Sequence, residues 1–195
     1  MELMRRRMVR EKPDYSVVNA SISGETTAGG ASRIPGLLDL HRPAIVVVAL
    51  GGNDGLRGTP LNTVRMQLTA ILRECRARGA RTLVVGVEIP PNYGIGYARD
   101  FSALFGRIAR DMGVPVVPSM LAGFGDRRNL FQPDGIHPTA PAQAMILENV
   151  WRQLGPMLRP DKKRGQISSP SGTGDQFTAW SGAANVAAAE LPETT

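Results

Sequence analysis

The chain has 195 residues, 23 Lys+Arg against 17 Asp+Glu for a net charge of +6, and is 42% hydrophobic and 21% charged. That balance suits one globular domain with a real core and excludes wholesale disorder or a collagen-like repeat. The lone cysteine, Cys75, excludes a disulfide framework or a Cys-rich zinc module, and with only His41 and His137 a multi-histidine metal site is not expected; no cofactor is implied. The positive charge gathers in two end clusters, Arg5, Arg6, Arg7, Arg10 and Lys12, then Arg159, Lys162, Lys163 and Arg164. With aromatics at only 5% these read as solvated ends rather than a nucleic-acid surface. No apolar run approaches the ~20 residues of a membrane span. The charged N-terminus lacks the apolar stretch of a signal peptide, so the chain as written is expected in the cytoplasm.

Four short apolar runs read as buried strands: Ser16–Ser21, Ala44–Leu50, Thr82–Ile89 and Val114–Pro118. The middle two are continuous Val/Ile/Leu runs, as in a parallel sheet covered on both faces. Helical patterns lie between them. A weak one spans Gly30–Arg42, with Ile34, Leu37 and Leu38 apolar and Pro35-Gly36 blurring its bounds. Next, Thr59 is placed to cap a helix with Pro60 at its first position. Leu61, Val64, Leu68, Ile71, Leu72 and Cys75 share one face of it, and Gly79 stops it. Another carries Phe101, Leu104, Phe105, Ile108, Ala109 and Met112 and ends at Gly113. The last starts near Thr139 and Pro141, with Ala144, Leu147, Trp151 and Leu154 on its apolar face. Alternating strands and helices predict an α/β fold, a three-layer α/β/α sandwich over residues 1–158. Residues 159–195, basic and then Ser-, Gly- and Ala-rich without a period, read as a disordered tail.

In such a sheet functional residues gather at the carboxyl ends of strands. Three segments there stand out. In Asp134-Gly135-Ile136-His137-Pro138, a carboxylate three residues from an imidazole can fix its tautomer and make it a base. In Gly51-Gly52-Asn53-Asp54-Gly55, two glycines permit a tight turn that leaves the Asn53 amide able to donate to an oxyanion. In Ile22-Ser23-Gly24-Glu25-Thr26, the Gly24 N–H could be a second donor. Each also has a plain structural reading, as turn residues or as a loop before a helix capped by Thr26 or Thr27. Together, two donors and an Asp/His pair describe an ester-hydrolysing site lacking only its nucleophile.

Val18-Asn19-Ala20-Ser21-Ile22-Ser23-Gly24, Leu50-Gly51-Gly52-Asn53-Asp54-Gly55-Leu56-Arg57-Gly58, Pro91-Asn92-Tyr93-Gly94 and Asp134-Gly135-Ile136-His137-Pro138 resemble the SGNH (GDSL) hydrolase family. The resemblance is to its bacterial acyl-CoA thioesterase I/lysophospholipase/arylesterase type and spans roughly residues 14–158. It implies a flavodoxin-like parallel sheet of order 2-1-3-4-5 and a serine ester or thioester hydrolase acting on small acyl substrates. Gly24 and Asn53 match the family's oxyanion hole, Asp134 and His137 its acid and base. The segment after Asn53 and Pro91–Gly94 would border the acyl group.

The family's serine belongs to a Gly-Asp-Ser-Leu block after the first, central strand. No Gly-Asp-Ser occurs in this sequence; Gly125-Asp126 and Gly174-Asp175 are followed by Arg127 and Gln176. Met1–Lys12 resembles the end of the helix that follows that block, so the first strand and the nucleophile are expected to be missing. No nucleophile is therefore identifiable: Ser21 and Ser23 fall where the family has its oxyanion loop, the wrong place for in-line attack. Without the central strand the chain is expected to fold poorly, unless the strands on either side of the gap pair directly. Weak or absent turnover is expected, the alternative being a non-catalytic remnant that binds acyl ligands or a partner. Periplasmic export is implied if a signal peptide precedes the missing block. Cys75 reads as core, His41 as a helix-terminal charge, and Leu191-Pro192-Glu193-Thr194-Thr195, though similar to a sortase signal, has no hydrophobic tail after it.

Overall fold

The computed structural model describes residues 1–158 and 175–181. The chain opens with α1 (Glu2–Glu11), which buries Met4 and Met8, and passes into β1 (Tyr15–Asn19). Helix α2 (Thr27–His41) begins three residues before the expected Gly30 because Thr26 caps it, its hydroxyl accepting from Gly29 N at 3.3 Å. It runs on past Pro35 and ends at Arg42 in the left-handed region, with His41 in its last turn. Strand β2 (Ile45–Ala49) is buried at every position, as its uninterrupted apolar run predicts.

Next come a short helix, α3 (Gly52–Leu56), and a long one, α4 (Leu61–Ala77). The predicted stripe of Val64, Leu68, Ile71, Leu72 and Cys75 is the buried face of α4. The predicted Thr59 cap does not form. Pro60 is the boundary residue, its carbonyl accepting from Thr63 and Val64 N–H, while Thr59 O is taken by the Tyr97 hydroxyl at 2.7 Å.

Strand β3 (Arg81–Val85) is shorter than the Thr82–Ile89 run, although Val87 and Ile89 stay buried. Helix α5 (Ile95–Met112) buries Phe101, Leu104, Phe105, Ile108 and Ala109 and ends at left-handed Gly113. Strand β4 is reduced to Val116–Val117, since Pro115 and Pro118 on either side have no N–H for a ladder. Helix α6 (Ala142–Met157) buries Ala142, Ile146, Val150, Trp151 and Leu154. Its face is rotated from the expected one: Ala144 is exposed and Leu147 only half-buried.

The last strand, β5, is Asp175–Ser181. It falls inside the stretch expected to be a disordered tail, and it changes the sheet. All pairings are parallel, in the order β1-β5-β2-β3-β4. On one side Tyr15–Asn19 align with Asp175–Ala179; on the other Ile45–Ala49 align with Phe177–Ser181. The slot that order 2-1-3-4-5 assigns to a first strand is thus occupied, by a strand from late in the sequence. Direct pairing of β1 with β2 does not occur.

Around the sheet, α2 packs on α4 and α4 on α5, while α1 packs on α6. Arg7 joins these last two, with its guanidinium 2.6 Å from Glu148 Oε2 and 4.4 Å from the Trp151 ring centroid. Two other arginines of the N-terminal cluster pair on their own helix, Arg6 with Glu2 and Arg10 with Glu11. The C-terminal cluster lies outside the described residues. No described helix is long and apolar enough to cross a membrane.

Candidate active site

Three connections that leave carboxyl ends of strands carry the predicted residues. The first follows β1. Asn19 Oδ1 accepts from Ser21 N at 3.2 Å, and Gly24 turns the chain at φ 78°. Among the described residues nothing lies within 4 Å of where a Gly24 side chain would begin. Glu25 closes the segment against α2: its Oε2 is 2.9 Å from Arg33 Nη1, and Arg33 Nη2 reaches Ala20 O at 3.2 Å.

The second follows β2. Only Gly51 of the Gly51-Gly52 pair takes a positive φ, 117°; Gly52 starts α3. The expected open turn is therefore a left-handed residue followed by one helical turn. That turn presents Asn53 toward the first connection, where Asn53 Nδ2 donates to Glu25 O at 2.9 Å. A primary amide has two N–H groups, so one remains for another acceptor. The next residue, Asp54, is buried and grips the start of α2: Thr27 N donates to Oδ2 at 2.8 Å and Thr27 Oγ1 to Oδ1 at 2.7 Å.

The third lies between β4 and α6. Residues 130–139 fold back on themselves, with Gln132 N donating to His137 O at 2.7 Å and Thr139 N to Leu130 O at 2.8 Å. Left-handed Gly135, φ 69°, makes the reversal. Within it Asp134 Oδ1 accepts from the N–H groups of Ile136 (2.9 Å) and His137 (3.0 Å), and Oδ2 lies 2.7 Å from His137 Nδ1. The backbone N–H of His137 above all, then its ring and the Ile136 N–H, pull the Asp134 carboxyl from an ordinary 3.8 down to about 2. An ionised carboxylate only accepts, so a neutral ring in this contact carries its proton on Nδ1 and its lone pair on Nε2. Among the described residues no group bonds Nε2. The stretch leading into this loop is held by α6, where Asn149 Nδ2 donates to Met120 O (3.1 Å) and Ala122 O (3.0 Å).

The Gly24 and Asn53 segments are thus bonded to each other, and Asp134 to His137; no described hydrogen bond joins the two pairs. Pro91–Tyr93 form a 3₁₀ turn after β3; Tyr93 in it and Ile95 just beyond it are exposed, as is Ile22 near Gly24. No group of His, Cys, Asp and Glu among the described residues could hold a metal. Cys75 is fully buried and its thiol is pushed up to about 12 by burial, which makes it inert. Ser21 and Ser23 both lie on the Gly24 connection, as expected. The sequence offers Thr27 only as a possible helix cap and gives no sign of the roles of Asp54 and Asn149; an Asn in a helix interior is the one signal available for the last.

The chain thus carries a parallel sheet with the Asp134/His137 turn and the bonded Gly24 and Asn53 connections after its strands. The chain matches the GDSL-like lipase/acylhydrolase family over residues 2–145 and belongs to it. It is 46% identical over 156 residues to Esterase TesA of Pseudomonas aeruginosa, covering 80% of this chain and 78% of that protein. It is 40% identical over 146 residues to thioesterase 1/protease 1/lysophospholipase L1 of Escherichia coli K12, covering 75% and 70%. The crystal structure of a TesA superposes with a TM-score of 0.77 at 46% identity, covering 80% of this chain and 87% of that one. The flavodoxin-like SGNH fold is therefore that of the chain, and ester and thioester hydrolysis is the reaction of its family.

Proposed function

We propose that the site takes carboxylic esters and thioesters of acyl groups. In this reading His137 is the base, Asp134 holds its tautomer, and Gly24 N–H and the second Asn53 N–H receive the oxyanion. The observation that carries it is the 2.7 Å contact of Asp134 Oδ2 with His137 Nδ1, which leaves Nε2 basic and unbonded by described groups. A nucleophile's proton passes to Nε2 as its oxygen attacks the acyl carbonyl. The two donors take up the negative charge, and the same proton then leaves with the alcohol or thiol. Water repeats the cycle on the acyl intermediate. A missing oxyanion donor typically costs about 10²–10³ in rate, so both loops matter. The relatives' names span esterase, thioesterase, lysophospholipase and arylesterase. That range fits a site that grips the acyl carbonyl more than the leaving group.

No Gly-Asp-Ser occurs in the 195 residues, so we assign no nucleophile and expect turnover by this chain to be weak or nil. This favours one second reading, an acyl-binding protein without catalysis. Hydrolysis of p-nitrophenyl butyrate, with and without an organophosphonate, and binding of octanoate together test both. Saturable octanoate binding with little or no turnover is the expected result. Fast, organophosphonate-sensitive turnover overturns the weak-activity reading, and neither turnover nor binding overturns the acyl site itself.

A further inference from the structure

We infer that Asp54, with Thr27 as its partner, is a positioning residue that holds the two donor loops in register; this rests on the reading of Gly24 and Asn53 as those donors. Asp54 is 3% exposed and Thr27 fully buried. A carboxylate that deep is costly unless its oxygens are satisfied. Among the described residues it has no ion-pair partner. Its compensation comes from the Thr27 N–H and hydroxyl, at 2.8 and 2.7 Å. Thr27 is the first residue of the 15-residue helix α2, whose leading N–H groups have no partner within the helix and favour a negative charge.

The clasp matters because of where it falls. Asn53 and Asp54 are consecutive on one connection, and they engage Glu25 and Thr27, two apart on the other. The first bond spends one Asn53 N–H on Glu25 O, which aims the second; the Asp54 bonds fix the spacing at which that happens. Gly24 sits one residue before Glu25 and takes its position from the same pair of rungs. Asp54 touches no substrate in this account; it acts through Asn53 and Gly24.

The two contacts can be removed separately. D54A deletes both, T27V deletes the hydroxyl and keeps the N–H, and D54N can keep both with the hydroxyl reversed, its amide oxygen on Thr27 N and its NH₂ on Oγ1. Octanoate, whose carboxylate stands for the negative oxygen of a hydrolysis product, is titrated into the full 195-residue chain. The Gly24 N–H and the Asn53 side-chain amide are followed by NMR, and thermal unfolding is recorded alongside. The expected result is a tenfold or greater rise in octanoate Kd for D54A, a threefold or greater rise for T27V, and recovery to within threefold for D54N. Should D54A fail to fold, T27V against D54N carries the comparison. A lowered Tm with unchanged octanoate affinity in T27V and in folded D54A would mean a merely structural bond and overturn the inference. If octanoate moves neither resonance in the unaltered chain, the acyl-site reading fails and takes the clasp with it.

Discussion

Asp134 and His137 meet at 2.7 Å within one turn, and the pair makes a pH prediction with a definite sign. The carboxyl is held at about 2 in the fold against an ordinary 3.8. Its three hydrogen bonds therefore favour the folded turn in full above the ordinary value, and that contribution is lost as pH falls through about 2. The Asp134–His137 contact, followed by NMR of the two side chains, should persist at pH 4 and disappear near pH 2. D134N should abolish that dependence. In the active family context it should also lower turnover by about 10²-fold or more, because the wrong tautomer is no longer excluded. This pair was legible because both partners fall in one five-residue turn. The Asp54 clasp was not: an Asp after Asn among glycines looks like a turn former, and its partner is Thr27, far back in sequence.

Among the elements, the long amphipathic helices were the most readable. The apolar stripes of α4 and α5 recur at helical spacing and are the faces that pack. The short α3 was missed because Gly52 and Gly55 are poor helix formers, and tertiary room decides instead. A side chain at Gly55 would meet Ile89 Cγ2 at 2.6 Å. The same logic ends β3. A side chain at Gly86 would meet Pro118 O at 2.1 Å, and backbone cannot yield as a flexible side chain does. G86A should destabilise the protein by at least about 2 kcal/mol in urea unfolding, through overpacking between β3 and the end of β4. An unchanged midpoint would show that this approach of strands is looser than it is drawn. The rotated face of α6 has a simpler cause. Its buried line steps by four residues, 142, 146, 150 and 154, and a stripe of Ala and Leu on a largely apolar helix leaves two choices open.

For the whole molecule, the sheet order was readable in outline from the family resemblance, but the identity of its central strand was not. Asp175–Ser181 mixes polar and aromatic residues between Ser-, Gly- and Ala-rich flanks, so no local period marks it. Only its two neighbours do, each supplying a ladder of parallel bonds. Removing residues 159–195 should uncover both edges, and each buried backbone group left without a partner costs about 1–3 kcal/mol. Thermal unfolding of that shortened chain should lose its sharp transition, with dye-binding apolar surface exposed. A cooperative transition at the original midpoint would show that β5 contributes nothing to the fold.

The placement of β5 also orders events in time. During synthesis every other described strand and helix leaves the ribosome before β5, so β1 and β2 wait as open borders on either side of an empty lane until Asp175–Ser181 emerges. Maturation of this sheet is consequently held until Asp175–Ser181 has been made. A nascent chain halted at Leu158 should be a client for chaperones where the released protein is not.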